Sequence, residues 1–362
     1  MRTRRIVGCM TGTSIDALDC ALVATEGEGL ALRASFERGS TVPLGNLAPR
    51  LRRLARQQPA TAAEITGLAS AYAHRVADAV RDLLRGEPCD LVAVHGQTVY
   101  HAPPLSWQLC NGPLVAHALR VPVVFDLRAA DLSAGGQGAP ITPLADYVLL
   151  ASPRERRVVL NLGGFSNFTA LPPRLNPESD LPRIQAGDIC LCNQLLDTIA
   201  RELLGAQFDQ DGTAAAGGRI VEALLENWTA RLEAQASAGR SLGTSDEPPG
   251  WLDGAARALN PADVARTGCE AIARTIARRI PPTDRVLIAG GGAANRTLLA
   301  SLQRQTAAPL QRTDDFDLPG TSREAAEMAV LGALCQDRVP ITLPQVTGVP
   351  TPAPVAGVWV FP

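Results

Sequence analysis

A short polar turn near the start of the chain has the residue types best suited to chemistry. It reads Gly-Thr-Ser-Ile-Asp over residues 12–16 and follows an apolar run, Ile6 to Met10. Glycine permits close approach to the backbone, and converging N–H groups and hydroxyls can bind an anion. Asp16 could hold Mg²⁺ through water, because magnesium keeps several of its own waters. The pattern predicts a phosphate-binding turn, although an ordinary hairpin turn with an Asx-type hydrogen bond explains it equally well.

Two later glycine turns are candidates for nucleotide contacts. Gly163 and Gly164 lie in the turn Asn-Leu-Gly-Gly-Phe-Ser-Asn, which would face the first turn across a cleft if the chain is duplicated. Gly290, Gly291 and Gly292 follow an apolar run and could let a flat base or ribose lie against the backbone. A tight connection is the alternative. Three consecutive glycines raise the entropy of the unfolded chain, so their presence favours a functional reason.

Several polar side chains beside predicted strands could act on a substrate. Asp188 lies just before a predicted helix and could be a general base, because a water or sugar hydroxyl must lose its proton as it attacks. An aspartate that caps the helix is the alternative. Other side chains near strand ends could hydrogen-bond a polyol, although an isolated histidine there is more often structural; these are His95, Gln97, Thr98, Arg128 and Asp131.

The elements that position these residues repeat along the chain. A β-hairpin over Ile6 to Ala24 is echoed over Arg156 to Leu171, and the strand ending in a glycine turn at 91–98 is echoed at 286–293. We therefore predict two related α/β domains. Helices are predicted at Ala62 to Leu84, Asn193 to Leu204, Asn260 to about Ile280, and from just after Ser322 to Leu334. Loops are predicted at Pro172 to Arg183 and Ser237 to Gly250, and the proline-rich tail Val339 to Pro362 should wrap the surface.

Length and composition narrow the class of protein. A chain of 362 residues favours two domains with a cleft between them. A net charge of −2 provides no electrostatic case for nucleic acid or an anionic membrane as partner. All 34 basic residues are arginine, which excludes a phosphate loop that depends on lysine. Eight scattered cysteines, and the lack of an apolar run that could cross a bilayer or serve as a signal peptide, predict a cytosolic protein.

Taken together, these segments resemble the anhydro-N-acetylmuramic acid kinase family over nearly the whole chain. The opening GCMTGTSIDALD at 8–19 is similar to the family's G-x-M-[ST]-G-T-S-x-D-G-x-D, and HGQTVYH at 95–101 to its H-G-Q-T-x-x-H. The run DLRAADLSAGGQGAP at 126–140 is the most specific match. Further segments follow in the family's order: NLGGFSN, FDQDGTAAAGG, AGGGAANR, EAAEMA and LPQVTG.

This resemblance implies an α/β fold of two ribonuclease-H-like domains in an actin-like arrangement, with ATP and Mg²⁺ in the interdomain cleft, and a homodimer. We place domain 1 at 1–130 plus 340–362 and domain 2 at 131–339. The implied reaction opens the 1,6-anhydro bridge of the amino sugar with water and phosphorylates O6, producing N-acetylmuramic acid 6-phosphate for cell-wall recycling. The family's general-base aspartate falls on Asp188.

The resemblance also assigns the remaining site residues. Nucleotide binding falls on Gly12, Thr13, Ser14, Ile15, Asp16, Ala17, Leu18, Asp19, Gly163, Gly164, Gly290, Gly291, Gly292 and Asn295, with Asp16 also at the metal. Substrate binding falls on His95, Gln97, Thr98, Arg128, Asp131 and Glu324.

The chain departs from the family pattern around the predicted base. Ile189 to Cys192 replace the family's Thr, Gly, Pro and Gly, and Ala17 and Cys110 each replace a glycine. At residues 240–244 this chain has RSLGT where the family has K-S-T-G-R. Thr244 therefore occupies the position of the family's arginine, which could contact phosphate. A kinase for another anhydro-sugar, or a nucleotide- or sugar-binding relative without turnover, therefore remain alternatives.

Overall fold

The structure is a computed structural model that describes residues 3–12, 14–237, 242 and 250–362. The chain divides into two compact units. The first unit comprises Met1–Ala151, Arg174–Ile184 and Asp317–Pro362, and the second comprises Ser152–Pro173 and Gln185–Phe316. Among the described residues, no helix combines the length and the apolar character that crossing a membrane requires.

The strands, numbered along the chain, are β1 Thr3–Met10, β2 Ala17–Glu26, β3 Arg33–Pro43, β4 Leu91–Val94, β5 Gln97–Ala102, β6 Leu105–Leu109, β7 Val123–Phe125, β8 Arg157–Leu162, β9 Phe165–Leu171, β10 Gln185–Leu191, β11 Arg285–Ala289, β12 Leu310–Arg312 and β13 Val358–Val360. The α-helices are α1 Leu47–Ala55, α2 Ala62–Leu84, α3 Gly112–Leu119, α4 Ala129–Ser133, α5 Pro143–Leu150, α6 Pro177–Asp180, α7 Asn193–Ile199, α8 Thr213–Ala216, α9 Glu222–Ala236, α10 Gly254–Arg257, α11 Pro261–Arg279, α12 Arg296–Gln305, α13 Arg323–Gln336 and α14 Pro344–Thr347.

The two units contain sheets of the same topology. The first sheet has the order β13-β7-β4-β1-β2-β3 and the second the order β10-β9-β8-β11-β12. In each, three consecutive strands form an antiparallel meander, the fourth strand pairs parallel with the first, and the fifth pairs parallel with the fourth. This is the strand order of a ribonuclease-H-like sheet. The α/β class and the duplication predicted from the sequence are therefore confirmed.

Local signals in the sequence determine the two longest helices. Helix α2 begins with a capping box in which Thr61 and Glu64 satisfy each other's backbone N–H groups. Helix α11 begins with the side chain of Asn260 accepting from the N–H of Ala262, and Pro261 occupies its first turn. Each helix packs an apolar face into the core of its own unit and is followed by the fourth strand of that sheet. Both helices agree with the sequence prediction.

Helix α13 packs unusually closely on the first sheet. A Cβ on Gly8 of β1 would lie 1.9 Å from the carbonyl oxygen of Ala325 and 2.5 Å from the amide nitrogen of Ala329. Only glycine on the strand and small residues on the helix allow this approach. The packing places α13 in the first unit, although the sequence prediction assigned residues 131–339 to the second domain. The same holds for α5, whose Asp146 is bound by Arg323.

Three segments differ from the predicted loops and helices. The tail adds strand β13 to the edge of the first sheet, pairing with β7, and contains the short helix α14. Within the predicted loop Pro172 to Arg183, residues 177–183 form α6 and a 3₁₀ turn. The helix predicted over Asn193 to Leu204 is α7 followed by a π-helical turn, Ala200–Leu204. Most of the loop predicted at Ser237 to Gly250 lies outside the described residues.

Candidate active-site residues

The turn between β1 and β2 contains the first predicted phosphate-binding segment. The N–H of Ile15 donates to the carbonyl of Gly12 at 3.1 Å, and the N–H of Leu44 donates to the carbonyl of Asp16 at 3.0 Å. Ile15 is buried with a φ of 55°, a left-handed conformation that is strained for a β-branched residue. Such strain persists only where the surroundings enforce it, and it is frequent at ligand-binding turns. Thr13, which the sequence also assigned to this site, lies outside the described residues.

Asp16, the predicted metal ligand, is bound by Arg52 of α1. The guanidinium pairs with the Asp16 carboxylate, and its Nε donates to the carbonyl of Ser14 at 3.0 Å. Within the described part of the chain, no group of three or more His, Cys, Asp or Glu residues could hold a metal ion. A hydrated Mg²⁺ that is also held by phosphate oxygens needs only one or two carboxylates. Asp16 fits that role if Arg52 releases or shares its carboxylate.

Asp19 and Glu324 lie close together in the first unit. Thr41 donates to the Asp19 carboxylate at 2.6 Å. Burial raises the pKa of Asp19 above its ordinary value, and the negative charge of Glu324 adds to this effect. Glu324 belongs to the first turn of α13, and the close packing of that helix on β1 brings its charge near the turn end of the β1–β2 hairpin, where Asp19 pairs with Met10.

His95, Arg128 and Asp131 form one network of hydrogen bonds. Arg128 donates from Nε to Nε2 of His95 at 3.0 Å and from Nη1 to the carbonyl of Gly138 at 2.7 Å. The carboxylate of Asp131 accepts from the N–H of Gly138 at 2.7 Å and from Thr347 at 2.8 Å. In the segment 126–140, buried Asp131 therefore holds α4 and the loop that follows it together, and Arg128 lies beside His95.

The histidines of this region are neutral at physiological pH. Burial, together with the smaller effect of the positive charge of Arg128, lowers the pKa of His95 to about 3. Burial, with a smaller contribution from the positive charge of Arg128, also lowers the pKa of His101 to about 4. Nδ1 of His95 lies 2.8 Å from the carbonyl of Gly96, which makes it the protonated nitrogen, so Nε2 accepts from Arg128. His95 is thus a fixed acceptor for Arg128.

These shifts predict a loss of stability in acid. The pKa of both groups is depressed in the folded state, so their contribution is present above pH 6.5 and is lost as pH falls towards their folded values. We expect the free energy of unfolding to fall between pH 6 and 4.5, with buried His95 adding about 1.4 kcal/mol per pH unit. His101 adds less because solvent partly screens it.

Urea denaturation at a series of pH values measures this slope. His101→Asn should reduce it, whereas the matched change His74→Asn, at an exposed histidine of α2, should leave it unaltered. An equal dependence of the free energy of unfolding on pH in the wild type, His101→Asn and His74→Asn would contradict a lowered pKa of His101 in the folded protein.

Gln97 and Thr98 lie on β5, which forms a separate two-stranded sheet with β6. Thr98 donates to Oε1 of Gln108 at 2.6 Å, and Nε2 of buried Gln97 donates to the carbonyl of Thr98 at 3.0 Å. Sequence reasoning did not select Gln108 or His101, although the second histidine of HGQTVYH was a visible signal.

The glycine turns of the second unit lie against each other. Gly290 has a φ of 83°, and a Cβ there would lie 2.5 Å from Oδ1 of Asn161 and 2.8 Å from the carbonyl of Leu162. Nδ2 of Asn193 donates to the same Leu162 carbonyl at 2.9 Å, and the backbone N–H of Asn193 donates to the carbonyl of Gly163 at 3.0 Å. The turn at 163–164 and the loop at 290–292 thus form one backbone-lined surface. Asn295 caps α12 by accepting from the N–H of Leu298.

Asp188 lies within β10, which continues to Leu191, whereas the sequence prediction placed it at the end of a strand just before α7. It pairs with Asn167 of β9, and the register shifts between Asp188 and Cys190. Its Oδ2 accepts from the N–H of Leu242 at 2.7 Å. A β-bulge of this kind changes the direction in which the neighbouring side chain points. The carboxylate is half-buried and oriented by a hydrogen-bond donor, as a general base requires.

The residues that depart from the family pattern beside Asp188 belong to the core. Ile189, Cys190, Leu191 and Cys192 have no exposed surface. Burial raises the pKa of Cys190 to about 12, so its thiol stays protonated. Their side chains therefore fill the interior of the second unit. Of the RSLGT segment, Leu242 alone is described, and Thr244 lies outside the described residues.

In comparison with known proteins, nearly the whole chain matches one family. Residues 4–360 match the family model described as anhydro-N-acetylmuramic acid kinase. A relative of that name from Picosynechococcus sp. is 35% identical over 370 residues, covering 96% of this chain and 97% of the relative. One from Salinibacter ruber is 35% identical, covering 99% and 97%. Among solved structures, Acidaminococcus fermentans (R)-2-hydroxyglutaryl-CoA dehydratase component A matches with a TM-score of 0.45 at 13% identity, covering 91% of this chain and 99% of that one.

Proposed function

The chain belongs to the anhydro-N-acetylmuramic acid kinase family and is a sugar kinase, and from this premise we propose that it converts 1,6-anhydro-N-acetylmuramic acid to N-acetylmuramic acid 6-phosphate with ATP. The observation that carries the proposal is Asp188, a half-buried carboxylate that is held by the N–H of Leu242 beside a strand bulge. Its partial exposure leaves the carboxylate open to water, as the proposed base requires.

In the proposed reaction, Asp188 accepts a proton from water while the water oxygen attacks C1 of the sugar. The C1–O6 bond breaks, and O6 takes the γ-phosphoryl group of ATP, with ADP as the leaving group. A positioned base contributes roughly 10² to 10⁴ to such a rate, and positioning with electrostatic stabilisation supplies most of the remainder. Mg²⁺ neutralises phosphate charge when it is bound.

Each unit supplies residues with proposed roles. In the first unit, Gly12 to Asp19 bind nucleotide phosphates, with Asp16 also at Mg²⁺, and the polar groups around His95, Gln97, Thr98, Arg128, Asp131 and Glu324 recognise the sugar. Asp131 acts indirectly, because its two oxygens hold Gly138 and Thr347. In the second unit, Gly163, Gly164, Gly290, Gly291 and Gly292 bring the backbone close to the nucleotide, and Asn295 caps the helix behind them. Magnesium and a homodimer are part of the proposal through the family resemblance, and a cytosolic location is part of it through the composition of the chain.

One assay tests both the activity and its unusual stoichiometry. The protein is incubated with Mg-ATP and the anhydro-sugar, and the product is analysed by mass spectrometry. We expect a product that has gained a phosphoryl group and the elements of one water, because the bridge opens as O6 is phosphorylated. A product that has gained a phosphoryl group alone would mean that the bridge stays closed and would contradict the proposed chemistry. ATP consumption with no anhydro-sugar product would contradict the proposed substrate.

A further inference from the structure

The β5–β6 hairpin has a chain of hydrogen bonds with a defined direction. Thr98 donates to Oε1 of Gln108 at 2.6 Å, and Nε2 of Gln108 donates to the hydroxyl of Ser106 at 2.8 Å. The Ser106 hydroxyl donates its one proton to the carbonyl of Tyr100 at 3.2 Å. Nδ1 of His101 lies 3.0 Å from the same hydroxyl oxygen.

This chain determines the tautomer of His101. The hydroxyl proton of Ser106 is already donated to the carbonyl of Tyr100. The hydrogen bond between His101 and Ser106 therefore requires a proton on Nδ1 of the histidine. A neutral imidazole with its proton on Nδ1 has an acceptor at Nε2. Arg128 lies close enough to disfavour a second proton, and the lowered pKa of His101 agrees with a neutral ring.

Nε2 of His101 and Oε1 of Gln97 are buried acceptors that, among the described residues, have no hydrogen-bond partner. A buried acceptor without a donor costs about 1–3 kcal/mol, so native proteins rarely leave one. Two such atoms on one short strand, in the segment that also contains His95, are best explained by donors that arrive with a ligand.

We propose that Nε2 of His101 and Oε1 of Gln97 accept hydrogen bonds from hydroxyl or amide N–H groups of the sugar substrate, which would make His101 a specificity-determining residue. This inference rests on the proposed function. An acetamido sugar has both kinds of donor, whereas a phosphate or carboxylate group has only acceptors and would be rejected here. Within the described residues β5 and β6 pair only with each other, so a rearrangement of this hairpin around a ligand would leave the hydrogen bonds of the six-stranded sheet intact.

Two substitutions at His101 separate binding from structure. The amide nitrogen of asparagine can replace Nδ1 as donor to Ser106, but asparagine has no acceptor where Nε2 lies. Glutamine can place an acceptor oxygen near the position of Nε2. We expect His101→Asn to weaken binding of anhydro-N-acetylmuramic acid by about tenfold to one-hundredfold, and His101→Gln to recover part of that loss. Gln97→Met, which is similar in shape and has no acceptor, should weaken sugar binding in the same way.

Titration calorimetry with the sugar alone, and separately with Mg-ADP, measures both affinities without turnover. Affinity for Mg-ADP and the melting temperature should match the wild type in His101→Asn, as in the exposed-histidine control His74→Asn. Equal sugar affinity in wild type, His101→Asn and Gln97→Met would overturn the inference and would indicate internal waters at both atoms. A wild-type protein that does not bind the anhydro-sugar would instead overturn the proposed function together with this inference.

Discussion

Asp188→Asn should lower the initial rate of sugar phosphorylation by roughly 10² to 10⁴. Asparagine is nearly isosteric and its carbonyl oxygen can still accept from the N–H of Leu242, so the bulge in β10 should be preserved. The amide cannot take a proton from water, however, and the attack on C1 loses its base. The loss should appear in turnover at saturating sugar and ATP, because the substitution removes a proton acceptor and not a binding group.

The matched control is Asp197→Asn on α7 in the same unit. Burial raises the pKa of this half-buried aspartate, but it has no part in the proposed chemistry. Its rate should match the wild type. Turnover undiminished in Asp188→Asn, with normal Mg-ADP affinity, would mean that another group acts as the base.

Arg323→Leu should reduce the free energy of unfolding by about 3–5 kcal/mol. Arg323 is almost fully buried and binds Asp146 of α5 at 2.9 Å and Glu327 of α13 at 2.5 Å. Removing the guanidinium leaves two carboxyl groups in the core, where a charge without a partner is strongly unfavourable. Denaturation in urea measures the change, and Mg-ADP affinity should also fall if α13 shifts on Gly8.

Glu327→Gln is the matched variant within the same cluster. Burial raises the pKa of Glu327 well above its ordinary value and so favours the uncharged form, which an amide imitates. We expect a loss of at most about 1 kcal/mol at neutral pH. A raised folded pKa contributes stability that is complete below the unfolded pKa and is lost as pH rises through the folded value, so the variant should lose less stability than the wild type as pH rises above about 4.5. A larger loss in Glu327→Gln than in Arg323→Leu would contradict this charge assignment.

Elements that depend on neighbouring residues could be predicted from the sequence. Helix α2 was predicted with its observed bounds from its amphipathic spacing, and in the structure Thr61 and Glu64 cap its start. Pro261 marks the start of α11 in the same way. The hairpin echo between 6–24 and 156–171 predicted a duplication that the two strand orders confirm. Capping, turn chemistry and periodicity act over a few residues, so they are visible without a fold.

The pairing of the C-terminal tail could not be predicted from such local signals. Prolines from Pro340 onward predicted a surface wrap, yet residues 358–360 pair with β7 of the first sheet. Strand pairing depends on the edge that the rest of the fold leaves open, and the tail itself does not encode that edge. Likewise, α13 joins the first unit because Gly8, more than 300 residues earlier, leaves room for its backbone.

For the candidate site, the sequence by itself determined the residue types: the polar turn at 12–16, the glycines at 290–292, and the family match that selects Asp188. The tertiary structure decided their chemical states. Arg52 binds Asp16, Arg128 keeps His95 an acceptor, and Asp131 is used to hold Gly138 and Thr347. The partners lie 36, 33 and up to 216 residues away along the chain. Burial and charge pairing depend on distance in space, so the protonation and the hydrogen-bond partners of these groups follow only from the folded chain.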